Sequence, residues 1–489
     1  MGRIVALVAV LASMLTASGG RAADPGETPP PDPAPNTLDW MIRDAENQRH
    51  ATERLDDEYA NPAFAATFWT QTPETFFTNV RRQGEHPGRP IVTAAQLVPG
   101  GTTADPYRTT WEEQGRGVRY EFAFLNRYGA RLRASLWAPN PGAPDPVTGE
   151  PMNAPYPAVV ITTGSIQGYQ NLYLWAAQGL AEAGYVVLTF DVQGQGESET
   201  FGHDSAGNTW CAPTSSEPIP PGAPWENPEQ NPSCPGVPFQ QPSNFVKGTV
   251  DALDFLFSSD DDPYRWWRPG TATLKANPLA SIIDVSRVGL AGHSLGASAI
   301  SLVQGHDMRV DAIVAWDNLS AASGVVPRVP AMGQNADYFF NVAPTFAPPA
   351  HKDGAFLAWR DAGVDAMQVA LLGSTHLEWT FVPYILPASR KGERVAMHYT
   401  LAWFDRYLKG PVDAAQNADA TRRLTLQIFD TSADDGAIGA GAWDVAAGNV
   451  PHRIAGERVW THLSVYSPSN YWLDGGSLAC DDLRRNAAC

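Results

Sequence analysis

Val285-Ser286-Arg287-Val288-Gly289-Leu290-Ala291-Gly292-His293-Ser294-Leu295-Gly296-Ala297-Ser298-Ala299-Ile300-Ser301-Leu302-Val303 is the stretch that decides the fold. Its first seven residues read as a short buried strand and its last seven as an apolar helix. Between them lies Gly-x-Ser-x-Gly. A strand that turns straight into a helix over five residues strains its middle residue, and only glycine leaves room for the chain two residues to either side. The serine hydroxyl is thereby lifted clear of the strand, where a neighbouring histidine can reach it. A glycine-rich turn that happens to hold a serine is the plainer alternative, and the flanking strand and helix argue against it.

Outward from this turn, apolar strands alternate with helices. Upstream, Arg119 to Phe124 and Leu132 to Trp137 alternate around the turn Tyr128-Gly129-Ala130. Pro157 to Thr163 is a buried strand that runs into the loop Gly164-Ser165-Ile166-Gln167-Gly168 and a helical stretch from Tyr173 to Ala183. Tyr185 to Asp191 is the next strand, closed by Gly194-Gln195-Gly196. Downstream come strands at Asp311 to Trp316, Val329 to Met332 and Met367 to Leu372, with helices at Lys352 to Ala362 and Val395 to Leu408. This alternation predicts an α/β fold with a mostly parallel central sheet flanked by helices.

The remaining segments differ in kind. A charged start, the apolar run Ile4 to Ala17 and the small residues Ser18 to Ala22 predict a signal peptide over 1–22 and an exported, secreted or periplasmic protein. The run is shorter than the roughly 20 residues a membrane span needs. Residues 23–37 are expected to be a proline-rich disordered leader, and 38–117 an N-terminal helical extension, with Phe64, Phe68, Phe76, Phe77 and Val80 at helical spacing. The core domain spans 118–410. Within it, 199–245 is a proline-rich insertion with Cys211 and Cys234, long enough to act as a lid. The tail 411–489 alternates again in Leu424 to Phe429 and Val459 to Tyr466, which suggests extra edge strands or a small β appendage.

Charge and cysteines set limits on partners. Lys and Arg number 34 against 52 Asp and Glu, a formal charge of −18. Such a surface repels nucleic acid and anionic membranes. Four cysteines (Cys211, Cys234, Cys480, Cys489) in an exported chain suit disulfides, and proximity favours Cys211 with Cys234 and Cys480 with Cys489. A zinc site is the weaker reading, since no Cys-x-x-Cys spacing is present.

A serine hydroxyl needs a base, an acid that orients the base, and donors for the oxyanion. After this kind of turn the expected order is Ser, then Asp or Glu, then His. Of the six histidines beyond Ser294, only His376 sits in a short loop just after a core strand. It is the candidate base. For the acid, Asp337 follows the strand Val329 to Met332 through Gly333-Gln334-Asn335-Ala336 and is the first choice. Asp317, ending the preceding strand, is the rival, and Asp365 is a distant third. Oxyanion donors are expected at the backbone N–H of Leu295, opening the helix, and of Ser165, with Ile166 next.

On the turn Gly292 to Gly296, the stretch Asp191-Val192-Gln193-Gly194-Gln195-Gly196-Glu197-Ser198 and the loop Gly373 to His376, residues 118 to 410 resemble an α/β-hydrolase. Within that superfamily the chain is similar to secreted esterase-like and dienelactone-hydrolase-like enzymes. Three departures stand out. Thr163-Gly164 replaces the usual His-Gly before the oxyanion loop, Gln193 replaces the Arg of Asp-x-Arg-Gly-x-Gly, and Ser294 replaces the cysteine of dienelactone hydrolases proper. The resemblance implies a serine hydrolase acting on small carboxylic esters, without metal or organic cofactor. Trp316, Tyr338, Phe339, Phe340, Trp379 and Phe381 are candidates for an apolar or aromatic substrate pocket, with core packing the competing role. A peptidase or acyltransferase on the same scaffold is the alternative, and a non-catalytic binding protein a further one. Nucleotide binding through Gly194-Gln195-Gly196 is disfavoured, because Glu199 stands where the fingerprint needs glycine.

Overall fold

Runs such as Tyr-Pro-Ala-Val-Val-Ile-Thr and Val-Val-Leu-Thr-Phe have no polar face, so they are stable only where both sides are covered. The computed structural model puts them at the centre of one sheet. It describes residues 33–34, 36–45, 47, 115–145, 149–165, 168–208, 242–338, 353–371, 373–380, 390–425 and 469–483. The expected signal peptide, most of the leader, residues 48–114 of the extension, the centre of the insertion, and Cys211, Cys234 and Cys489 lie outside the described residues.

The strands are β1 (Gly117–Leu125), β2 (Arg131–Pro139), β3 (Tyr156–Thr162), β4 (Val186–Phe190), β5 (Ile283–His293), β6 (Ala312–Trp316), β7 (Ala331–Ala336), β8 (Ala366–Leu371), β9 (Asn470–Leu473) and β10 (Leu478–Cys480). They form a single sheet in the order β1-β2-β4-β3-β5-β6-β7-β8-β9-β10. The pairings from β4 through β8 are parallel; β1, β2, β9 and β10 pair antiparallel at the two edges. The chain moves outward from β3 to β4, then crosses back to β5 on the other side of β3. That reversal makes the carboxyl ends of β3 and β5 a topological switch point, where open α/β sheets form their binding crevice.

Alternate residues of each strand feed two cores. On one face Val159, Ile161, Val187, Val314, Met332 and Val369 pack against α1 (Leu174–Glu182) and α5 (Arg390–Phe404). On the other, Val160, Leu188, Leu290, Ile313 and Ala331 pack against α2 (Pro242–Leu256), α3 (Leu295–Val303) and α4 (Asp353–Asp361). Two details differ from the sequence-based expectation. Gly333 to Ala336, which lie beyond the expected strand Val329 to Met332, continue β7 with every residue buried, because β8 pairs with all four and β6 with the first two. Leu424 and Thr425, expected to open a strand, end α6 (Ala414–Thr425).

A buried ion cluster fixes α6. After α5 the chain makes a π-helical turn, Asp405–Lys409. The Asp405 carboxylate accepts from the Tyr185 hydroxyl (2.7 Å) and pairs with Lys409 (2.9 Å) and Arg423 (2.6 Å). Burial opposes the ionised form, yet the two cations outweigh it and hold Asp405 well below the usual carboxylate range. Among the described residues no helix is long and apolar enough to cross a membrane.

Candidate active site

β5 leads into Ser294, whose φ of 56° and ψ of −120° lie outside the regions that L-residues favour. Its N–H donates to the Trp316 carbonyl (3.0 Å), and its own carbonyl starts α3 by accepting from Ser298 (3.1 Å). The flanking glycines are required by contact. A Cβ on Gly292 would lie 2.6 Å from the Gly296 carbonyl oxygen, and one on Gly296 would lie 2.3 Å from the Thr162 carbonyl oxygen. The start of α3 is therefore pressed against the end of β3. Ser294 is half-buried, and its hydroxyl makes no hydrogen bond among the described residues.

The loop after β3 is held at both ends. The Gly164 N–H donates to the Tyr173 hydroxyl (2.9 Å), while the Gln195 amide donates to the Gly164 carbonyl (3.1 Å) and accepts from the Gly168 N–H (3.1 Å). With the N–H of Gly164 occupied, that of Ser165 is the next donor along the loop. Asp191 supports the arrangement from below, accepting from the N–H groups of Gln170 (2.7 Å) and Glu197 (2.7 Å). A Cβ on Gly196 would lie 2.2 Å from the Asp191 carboxylate. The Gly194-Gln195-Gly196 turn thus serves the loop beside it. Gln193 is satisfied as well, accepting from Asn126 and donating to the Thr200 carbonyl.

His376 lies in the loop after β8, nearly buried. Its Nδ1–H donates to Asp317 Oδ2 at 2.7 Å, which leaves Nε2 as the basic nitrogen of the neutral ring. Asp317 is the residue immediately after β6. Its backbone N–H donates to the Gln334 carbonyl (2.8 Å), and its second oxygen accepts from the Ala336 N–H (3.1 Å).

Asp337, expected to orient His376, is engaged elsewhere. Its Oδ2 accepts from the Gly373 N–H (3.1 Å) and from Asn47 (3.3 Å), and it pairs with Arg43. Residues 38–45 and 47 are helical and bring Arg43 and Asn47 to Asp337, the residue after β7. Asp44 and Asn47 also hold the Tyr338 hydroxyl (2.7 and 3.0 Å). Burial pushes the Asp337 carboxyl up despite the Arg43 guanidinium beside it. The partner that claims this carboxylate lies 294 residues away in sequence, so position along the chain could not show that His376 pairs with Asp317 instead. A register argument would have found Asp317. β5 and β6 are neighbours, and His293 pairs with Trp316, so the residue after Trp316 falls beside Ser294.

The other candidates sort cleanly. Asp365 immediately precedes β8, at the opposite end from His376, and accepts from the Tyr407 hydroxyl (2.7 Å). Ile166, Phe339, Phe340 and Phe381 lie outside the described residues. Trp316 and Trp379 are fully buried structural residues: Trp316 stacks on Tyr173, and the Trp379 indole donates to Gln334 (2.8 Å). Sequence reasoning overlooked His293, whose ring lies 4.6 Å from that of His376 between centroids. In comparison with models of known families and with curated proteins, the chain matches none.

Proposed function

We propose that this chain is a serine hydrolase of the α/β-hydrolase type that cleaves carboxylic esters, with Ser294 as nucleophile, His376 as base and Asp317 as the orienting acid. The observation that carries the reading is the buried 2.7 Å His376–Asp317 pair beside a serine held at positive φ. A mostly parallel sheet with helices on both faces, and a strand–turn–helix at Ser294, support the reading.

In this scheme Ser294 attacks the ester carbonyl as His376 Nε2 takes its proton. The imidazolium so formed is stabilised by the Asp317 carboxylate on its other nitrogen. The tetrahedral oxyanion is received by the N–H groups of Leu295, at the positive end of α3, and of Ser165. His376 then protonates the leaving alcohol, and water, activated by the same ring, releases the acid and restores Ser294.

The test uses chromogenic esters of graded acyl length, with the matching amides and an added alcohol acceptor. Ester hydrolysis that disappears in Ser294→Ala, together with fluorophosphonate labelling at Ser294 alone, is the expected result. Preferential amide cleavage would favour a peptidase, and acyl transfer to the alcohol an acyltransferase. Labelling at another serine would overturn the assignment.

A further inference from the structure

Three loops must be set relative to one another for this chemistry: the one after β3, the turn after β5 and the one after β8. They are separate in sequence, yet a single buried chain of hydrogen bonds runs through all three. Its centre is His293, the residue before Ser294, which is 3 % exposed. His293 Nε2 lies 2.7 Å from the backbone carbonyl oxygen of His376. A carbonyl only accepts, so Nε2 carries the proton and Nδ1 is left as acceptor. Nδ1 lies 2.9 Å from the Tyr173 hydroxyl, which therefore donates to it. The Tyr173 oxygen in turn accepts from the Gly164 N–H at 2.9 Å. Every donor points the same way, from the oxyanion loop toward the loop of the base. Burial pushes the Tyr173 hydroxyl far above its ordinary range, so it keeps its proton and stays a donor.

We infer that His293 is a positioning residue, whose ring sets the spacing between the base loop at His376 and the oxyanion loop at Gly164 while its backbone carries Ser294. The space around it is used up. A Cβ on Gly164 would lie 2.8 Å from His293 Nδ1 and 3.0 Å from the Tyr173 oxygen, so no larger residue fits between the loop and the ring. His293 has no part in proton transfer to substrate. Both of its nitrogens are committed, and the orienting partner of His376 is Asp317. Its effect falls on kcat, through the placement of His376 and the oxyanion donors, more than on KM. The inference rests on the hydrolase reading for its catalytic meaning, but the hydrogen-bond chain can be tested without it.

The experiment compares wild type with His293→Phe, His293→Gln and Tyr173→Phe, each first checked by thermal melting. Gln keeps one donor and one acceptor on a flat group, whereas Phe keeps neither. Ester kinetics should show His293→Phe losing about 10²-fold in kcat, as expected when catalytic groups are misplaced by about 1 Å, with KM within about threefold. His293→Gln should recover most of that loss. Tyr173→Phe should be costly alone but add little to His293→Phe, because both break one chain. The second readout is the downfield proton resonance of His376 Nδ1–H, which reports the His376–Asp317 bond whether or not the protein turns over an ester. It should broaden or vanish in His293→Phe and persist in His293→Gln. A sharp, unshifted resonance in His293→Phe with kcat within about threefold of wild type would refute the positioning role. A wild type inert toward esters and fluorophosphonate would refute the hydrolase reading, and the resonance would still decide the role of His293. If His293→Phe does not fold, Tyr173→Phe and His293→Gln carry the same comparison.

Discussion

Replacing Asp317 with asparagine tests the acid most sharply, because the surroundings of its carboxylate dictate how the amide sits. One carboxylate oxygen accepts from His376 Nδ1–H (2.7 Å) and the other from the Ala336 N–H (3.1 Å). The backbone donor cannot change its character, so in Asp317→Asn the new amide oxygen must turn toward Ala336. The amide NH₂ then faces the imidazole, which has to present Nδ1 as an acceptor and carry its proton on Nε2. That tautomer cannot take the proton from Ser294. The loss expected at neutral pH is about 10⁴ in kcat, the size found when a protease triad loses its acid this way. It corresponds to about 5 kcal/mol of transition-state stabilisation. Asp337→Asn should behave differently: turnover within about tenfold, because the His376–Asp317 hydrogen bond is left intact. Measuring kcat/KM of both variants on one ester, with melting curves alongside, is sufficient. Near-normal turnover in Asp317→Asn, with a severe loss in Asp337→Asn, would refute the reasoning and return the acid to the end of β7.

Gly164→Ala should lower kcat by at least about tenfold while the protein still melts cooperatively, since its Cβ would wedge between His293 and Tyr173; steady-state kinetics and a thermal scan check both. Two ion pairs should respond to pH with opposite sign. The folded-state pKa of Asp405 is depressed, so its stabilisation is present above the unfolded value of about 3.9 and is lost as pH falls below it. Asp405→Asn should therefore be destabilised by about 3–5 kcal/mol at pH 7, with the gap to wild type beginning to narrow only as pH falls below about 4 in denaturant titrations. The carboxyl of Asp337 is raised, so stability linked to it is present at low pH and lost as pH rises through the folded value. Removing its counter-ion in Arg43→Ala should make that dependence steeper, and melting curves at pH 5 and pH 8 should show the larger deficit at pH 8.

The parts of this fold that are legible in the sequence are those fixed by local chemistry. Buried parallel strands announce themselves as unbroken apolar runs, and the turn at Ser294 is dictated by contacts within a few residues and with the adjacent strand. His376 is legible because a short loop after a core strand leaves few places to go. What escapes is set by distant parts of the chain. Gly333 to Ala336 lack an apolar run, but pairing with β8 along their whole length, and with β6 at Gly333 and Gln334, holds them as β7. Asp337 stands where the acid was expected, yet a guanidinium from residue 43 occupies it. His293 reads locally as the variable position of Gly-x-Ser-x-Gly. Its role needs Tyr173 and His376, 120 and 83 residues away, to be visible.

The far edge of the sheet also sets a schedule. Among the described residues the outer neighbour of β8, which carries the loop of His376, is β9, and the Ala370 N–H donates to the Ser469 hydroxyl across 99 residues of chain. At ribosomal speeds of about 5–20 residues per second, roughly 5–20 seconds separate the synthesis of the two. Throughout that interval Ala-Met-Gln-Val-Ala-Leu has one side unpaired, an edge open to strands of other nascent chains. A message cut short before codon 470 would leave that edge open for good. Its product would hold Ser294, Asp317 and His376 and still be prone to clump, so yield on truncation, more than activity, is where the last strands leave their mark.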